Sequence, residues 1–537
     1  METPRANSRR HDLDALRAFA MLLGIALHAA LSFTGGPWMV QDTRTSGLFH
    51  LMVGAVHGFR MPLFFLLSGF FTAMLWRKRG LRALLAHRFK RVFLPLVLGS
   101  VTIVPVMFLL GGVSAKSGAR QEESKPATLW RACAAGDEDL VRGFLSDGAD
   151  INAPDPLLGA TPLTHASLFG RENVARLLLE HGADANKTNR DGGTALHAAA
   201  FLGRAGIVRM LLGAGADPRV KNERGDTALD AARTDLRATR FLARIFQVDV
   251  KNDALQAGRA ETRRLLGGDA IEEKPRPLLG VWLFLRHMPV FAHLWFLWFL
   301  CWMFAGFAMC ARLADGIGWR PAPRAWVTSA WRYLWLVPLT LIPSWLMAQA
   351  GQNFGPETSS SILPPAHLLA YYAVFFGFGA LWHDSMDTAG RLGRCWWLTL
   401  PLALLLVYPA GLAATLGGAK LRGAAVLLQV LYAWLMCMAM IGLFRRFVSG
   451  ERGWVRYLSD ASYWMYLAHL PLVVAAQMWA RDWPLPAGMK FLLVCAGVFA
   501  LLLASYRWLV RHTWIGALLN GRKERPPLSQ PAVTGSP

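Results

Sequence analysis

Arg17 and His28 stand eleven residues apart in an apolar stretch that runs from Asp14 to Thr34. If that stretch is a helix, eleven steps of 100° return both side chains to nearly the same face, about 16 Å apart along the axis. An ionisable group at such depth in a membrane costs about 3 kcal/mol unless it faces a polar interior or a partner. A single polar stripe joining the two residues would meet that requirement. Histidine titrates near neutral pH and suits general-base work, while a guanidinium suits an anion. The structural alternatives are an Arg17–Asp14 pair with the arginine reaching for the headgroups, and a His28 that simply bonds to a neighbouring helix.

The elements that would position these residues follow from composition. The chain has 537 residues, 54% of them hydrophobic and 17% charged. Its apolar residues gather in blocks of about 20, enough for a helix to cross ~30 Å of hydrocarbon. Blocks bounded by charges or Gly/Pro clusters predict spans at 14–34, 50–75, 92–112, 294–314, 326–348, 366–383, 396–416, 424–444, 457–480 and 489–510. The expected class is all-α, a polytopic membrane helical bundle of about ten spans. The lead up to Arg10 is basic and the first block lacks a small-residue cleavage pattern, so it is read as a retained span.

With the N-terminus inside, the loops Trp76–Arg91, Arg312–Arg332, Asp384–Arg394 and Arg445–Arg456 and the tail after Arg511 each carry two or more Lys or Arg. Of the opposite loops, Gln349–Pro365 carries no Lys or Arg and Leu416–Gly423 carries Lys420 and Arg422. This asymmetry predicts cytoplasmic N- and C-termini, and by the same count it places the long segment between the third and fourth spans outside. Membrane topology thus accounts for the net charge of +22, and no nucleic-acid partner is expected. Of six cysteines, Cys301, Cys310, Cys437 and Cys495 lie in apolar segments, Cys395 borders one, and Cys133 belongs to the polar insert. Their spacing suggests neither a disulfide framework nor a metal site.

Within the insert the text repeats. Thr161-Pro-Leu-Thr-His-Ala, Thr194-Ala-Leu-His-Ala-Ala and Thr227-Ala-Leu-Asp-Ala-Ala are spaced by 33 residues, and Gly-Ala-Asp recurs at Gly148, Gly182 and Gly215. The unit resembles the ankyrin repeat, two short helices and a turn, with Ala132–Leu145 as a first repeat and Ala254–Leu266 as a degenerate closing one. About four repeats are expected, in an inserted α-solenoid over residues 125–267. The resemblance implies structural hydrogen bonding for His165 and His197, and an unidentified protein partner for the array. The membrane parts are then 1–112 and 278–520, followed by a Pro-rich, disordered tail at 521–537.

Five motifs flank the insert in order: Leu13-Asp14-Ala15-Leu16-Arg17 with His28, Phe64-Phe65-Leu66-Leu67-Ser68-Gly69-Phe70, Arg88-Phe89-Lys90-Arg91, His293-Leu294-Trp295-Phe296-Leu297, and Tyr463-Trp464-Met465-Tyr466-Leu467-Ala468-His469. Together they resemble the acyltransferase-3 family of ten-span bacterial membrane enzymes, over both membrane segments but not the repeats. The resemblance implies a bacterial inner-membrane O-acyltransferase that moves an acyl group from a coenzyme A thioester, a substrate rather than a bound cofactor, to a hydroxyl of an extracytoplasmic glycan. His28 would be its catalytic base, or alternatively carry the acyl group itself, and Arg17 would bind or orient the donor. Arg88 and Arg91, matching the family's Arg-x-x-Arg, would meet coenzyme A phosphates, although ordinary positive-inside anchoring also accounts for them. Ser68, His293 and His469 are candidates for the tunnel or the acceptor site; packing at Ser68-Gly69, an aromatic belt after His293 and interior hydrogen bonding at His469 are the structural readings. His287 invites the same caution as His469.

Two other functions compete. A channel or receptor is disfavoured because the repeats interrupt the spans and no filter-like loop recurs. A catalytically inactive scaffold displaying the repeats would keep the fold and lose the chemistry.

Overall fold

The computed structural model describes residues 10–36, 38–122, 128–155, 159–223, 225–234, 236, 239, 243, 248, 252–268, 285, 290–318, 324–349, 354–387 and 389–521. His287, the whole tail after Gly521, and the expected domain edges at 125 and 278 lie outside them. The described residues are helical, without a strand. The chain divides into two compact units, Met1–Ser117 with Arg286–Pro537, and Gly118–Leu285.

The first unit is a bundle of long apolar helices. Among the described residues, six are long and apolar enough to cross a membrane: His11–Leu31, Gly47–Ser114, Ala292–Gly316, Trp396–Leu416, Arg422–Phe447 and Ala487–Val510. The 68-residue stretch holds two of the expected spans. Its backbone turns at Gly80, whose φ of 77° only glycine adopts readily, inside the expected loop. The expected spans at 326–348, 366–383 and 457–480 coincide with Arg332–Met347, Ala366–Asp384 and Gly453–Ala480, which fall short in length or apolarity.

His11–Leu31 packs among Gly47–Arg88, Arg422–Phe447 and Gly453–Ala480, so its polar face turns inward. Gly47–Arg88 lies along Ala366–Asp384 at backbone contact. A Cβ on Gly69 would sit 1.8 Å from Phe376 O, and one on Gly379 1.9 Å from Leu66 O. Absent side chains at both positions allow that approach, as small residues do between membrane helices. An aromatic core, including Phe65 stacked on Tyr372 and Phe375 stacked on Trp434, fills the space around it.

The second unit is a stack of helix pairs: Leu129–Ala135 with Glu138–Ser146, Pro162–Phe169 with Glu172–Glu180, and Ala195–Phe201 with Ala205–Gly213, followed by Ala228–Ala232. Each first helix starts at a threonine N-cap, Thr128, Thr161, Thr194 or Thr227. His197 has the expected structural role: its Nδ1 receives the Thr194 backbone N–H at 3.2 Å while Nε2 lies 3.1 Å from Asp226 O of the next turn. His165 Nε2 lies 3.1 Å from Asp155 Oδ2. The closing helix, Asn252–Leu265, comes so close to the third pair that a Cβ on Gly258 would meet Gly203 O at 2.0 Å. Its buried Arg259 donates to Phe201 O, at 3.0 Å from Nε and 2.7 Å from Nη2, satisfying a carbonyl at a helix end.

Candidate active site

On the first helix Arg10, Asp14, Arg17, Met21, Gly24 and His28 succeed one another by steps of three or four residues, one face of a 3.6-residue helix. That face lines two adjoining cavities. The larger, about 1220 Å³, is bordered by Arg10, Asp14, Arg17 and Met21; the smaller, about 60 Å³, by Met21, Gly24 and His28. Met21, Phe296 and Tyr466 border both, so the two meet at those residues.

The larger cavity is cationic. Arg10, Arg17, Arg77, Lys78, Arg88 and Arg91 border it against Asp14, Asp384 and Asp460. Arg77 is tied to Asp384 at 2.6 Å, and Arg17 to Ser459 Oγ at 2.9 Å and Asp14 at 3.5 Å. Arg88 donates to Thr72 Oγ1 at 3.0 Å and covers the Phe304 ring at 5.0 Å. The Nε atoms of Arg17 and Arg88 are buried without a hydrogen-bond partner among the described residues. Guanidiniums with donors to spare around a cavity of this size suit a large, multiply charged anion.

The smaller chamber gathers His28, His293 and His469 from three helical segments far apart in sequence. His469 Nδ1 lies 2.7 Å from Tyr466 O, so that nitrogen carries the proton and Nε2 keeps its lone pair. His28 Nδ1 lies 2.8 Å from Gly24 O and 3.2 Å from His469 Nε2, two acceptors that share one N–H. By this assignment of protons from partners, His28 Nε2 holds a lone pair and has no hydrogen bond among the described residues. His293 donates from Nε2 to Leu467 O at 3.0 Å, and its buried Nδ1 has no partner there. Ala292, at φ 43°, turns the chain just before His293; a left-handed alanine costs about 1 kcal/mol and often marks a functional site.

Past the chamber, Trp38 stacks on His28 with centroids 5.9 Å apart and donates to Gln477 Oε1 at 2.9 Å. Gln477 Nε2 in turn donates to His28 O at 2.9 Å. The loop carrying Trp38 is pinned by Lys490, fully buried, on Asp42 at 2.9 Å.

Arg17, Arg88 and Arg91 thus share the large cavity, and His28, His293 and His469 share the chamber. The interior hydrogen bonding expected of His469 is present, to Tyr466 O and to His28 Nδ1 in the chamber. Ser68 borders neither of these two cavities; next to it, Gly69 brings this part of the helix onto Ala366–Asp384. Arg60 was missed. It borders the chamber beside His28, and its buried Nε is unpartnered among the described residues. The rule that singled out Arg17 and His28, an ionisable group inside an apolar span, applies equally to Arg60 in the expected span 50–75. Trp38 and Gln477 carry no comparable signal.

An acyltransferase-domain family model matches residues 10–120 and 254–509, more than half the chain, and includes every residue of the chamber and all those bordering the larger cavity except Leu519 and Asn520. The chain belongs to the acyltransferase-3 family. An ankyrin-repeat model of three copies matches residues 129–222, so this family member carries its repeats between the two parts of its acyltransferase domain. It is similar to glucans biosynthesis protein C of Shigella dysenteriae serotype 1, 35% identical over 106 residues, and to the proteins of that name from Escherichia coli strains SMS-3-5 / SECEC and K12, 35% and 34% identical over the same length. Each match covers 20% of this chain and 26% of the relative, so the chain spans about a quarter of the length of these curated relatives.

Proposed function

We propose that this family member is an inner-membrane O-acyltransferase that takes an acyl group from acyl-coenzyme A at the cytoplasmic face and delivers it to a hydroxyl of an extracytoplasmic glycan. The continuous face from Arg10 to His28, joining a cationic cavity to a histidine chamber, carries this reading. Arg17, Arg88 and Arg91 meet the donor's phosphates in the large cavity, and the thioester arm reaches past Met21 into the chamber. The relatives' name supports a glucan as acceptor.

In the chamber His28 Nε2 takes the proton of the acceptor hydroxyl as its oxygen bonds to the thioester carbon. The tetrahedral intermediate collapses with cleavage of the C–S bond, and the sulfur leaves with the proton returned from His28. His469, by holding His28 Nδ1–H, keeps Nε2 as the basic nitrogen. A chamber of about 60 Å³ accommodates roughly four water-sized groups, which favours short acyl chains. The positive-inside asymmetry supports cytoplasmic termini and repeats on the outer side, where they would bind a protein partner.

The test is transfer of radiolabel from short-chain acyl-coenzyme A to cell-envelope carbohydrate, with membranes bearing the intact protein or His28→Ala at equal expression. Label with the intact protein alone establishes transfer through His28. Equal label with both removes His28 from the chemistry, and none from a panel of donors favours the inactive scaffold.

A further inference from the structure

Arg60 enters the chamber from the Gly47–Arg88 helix, and no carboxylate pairs with it among the described residues. A guanidinium is always charged, and one buried in a bundle without a counter-ion is destabilising by several kcal/mol, on the order of 3–5 where a buried pair has been broken. Its space is made by the first helix. A Cβ on Gly24 would lie 2.7 Å from Arg60 Nη1, so glycine one turn before His28 lets the guanidinium lie against that helix. The same Gly24 offers its carbonyl to His28 Nδ1. One residue thus orients the base and admits the cation, and both face the same 60 Å³.

A built, unpaired cation implies an anion that exists only during function. In acyl transfer that anion is the oxygen of the tetrahedral intermediate. We propose that Arg60 is a catalytic residue that donates hydrogen bonds to the thioester carbonyl oxygen as it becomes an oxyanion. The step rests on the acyl-transfer reading. The acceptor oxygen bonds to the carbonyl carbon, its proton passes to His28 Nε2, and the carbonyl π pair moves onto the oxygen facing Arg60. Collapse then expels the sulfur, which receives that proton. Fixed donors aimed at developing charge in a water-poor site typically contribute about 10²–10³ in rate.

The test uses the full-length protein in detergent, following thiol release from acetyl-coenzyme A in the presence of acceptor glucan, with thermal melting as a folding control. Arg60→Met is expected to lower kcat by about 10²–10³-fold with the donor KM changed by less than about threefold. Arg60→Lys, which restores charge but not the fork, recovers about tenfold of the loss. Gly24→Ala, which displaces the guanidinium without removing it, lowers kcat at least about tenfold and decides the matter if Arg60→Met does not fold. A kcat within about threefold of the parent in folded Arg60→Met overturns the assignment. So does a defect confined to the KM of donors whose acyl group bears a carboxylate, because Arg60 would then read substrate charge. A parent protein that releases no thiol from any acyl-coenzyme A overturns the acyl-transfer reading itself, and this assignment with it.

Discussion

At the residue scale the chamber depends on proton placement. His28 Nδ1–H is shared between Gly24 O and His469 Nε2, so removing His469 loosens the ring that must present Nε2. His469→Phe is expected to reduce kcat by roughly 10–100-fold at unchanged donor KM, with partial recovery in His469→Gln, whose amide oxygen can accept the same proton. Unchanged kcat in folded His469→Phe would mean that Gly24 alone suffices. A second residue-scale device lies outside the spans, at Asp387. Burial pushes this carboxyl up, but the N–H groups of Leu392 and Arg391 and the guanidinium of Arg445 outweigh it and hold the group below its ordinary value of about 3.9. A depressed native pKa gives stability that is present at neutral pH and lost as pH falls through the native value. Asp387→Asn should therefore melt lower than the parent at pH 7, by roughly 1–2 kcal/mol, and the gap should close below about pH 4. A gap that persisted in acid would assign the effect to packing.

At the element scale the helices meet through backbone. Gly69→Ala forces a methyl against Phe376 O, and about 1–3 kcal/mol of destabilisation is expected as a lower melting temperature in detergent. Ser68→Ala next to it should leave melting and kcat nearly unaltered, within about 0.5 kcal/mol, because Ser68 lines neither cavity. Loss of turnover in Ser68→Ala at unchanged melting would restore the hydroxyl to the tunnel. The elements themselves were largely legible. Blocks of apolar residues coincide with the helices that bound the cavities, and the 33-residue period coincides with the threonine-capped helix pairs. Both signals are local in sequence, since helix hydrogen bonds and caps join residues a turn apart.

At the scale of the molecule, the side of the membrane on which the repeats lie follows from counting spans, and a thiol can test it. Cys133 cannot serve in the folded protein, because it is fully buried and burial pushes its thiol up to about 12. Ser146 ends a repeat helix and is exposed. Ser146→Cys, with the native cysteines replaced, should react with a membrane-impermeant maleimide in intact spheroplasts; reaction only after lysis would put the repeats in the cytoplasm and change the span count by an odd number. The sequence by itself determined the class, the repeat array, the family motifs and the Arg17–His28 face, because a helical face is set by spacing alone. It did not determine that His28, His293 and His469 converge, that Arg60 joins them, that Ser68 borders neither cavity, or that Trp38 and Gln477 pack over His28. Those contacts cross as many as 449 residues of chain and depend on which helix lies against which, which glycine contacts and tertiary packing decide.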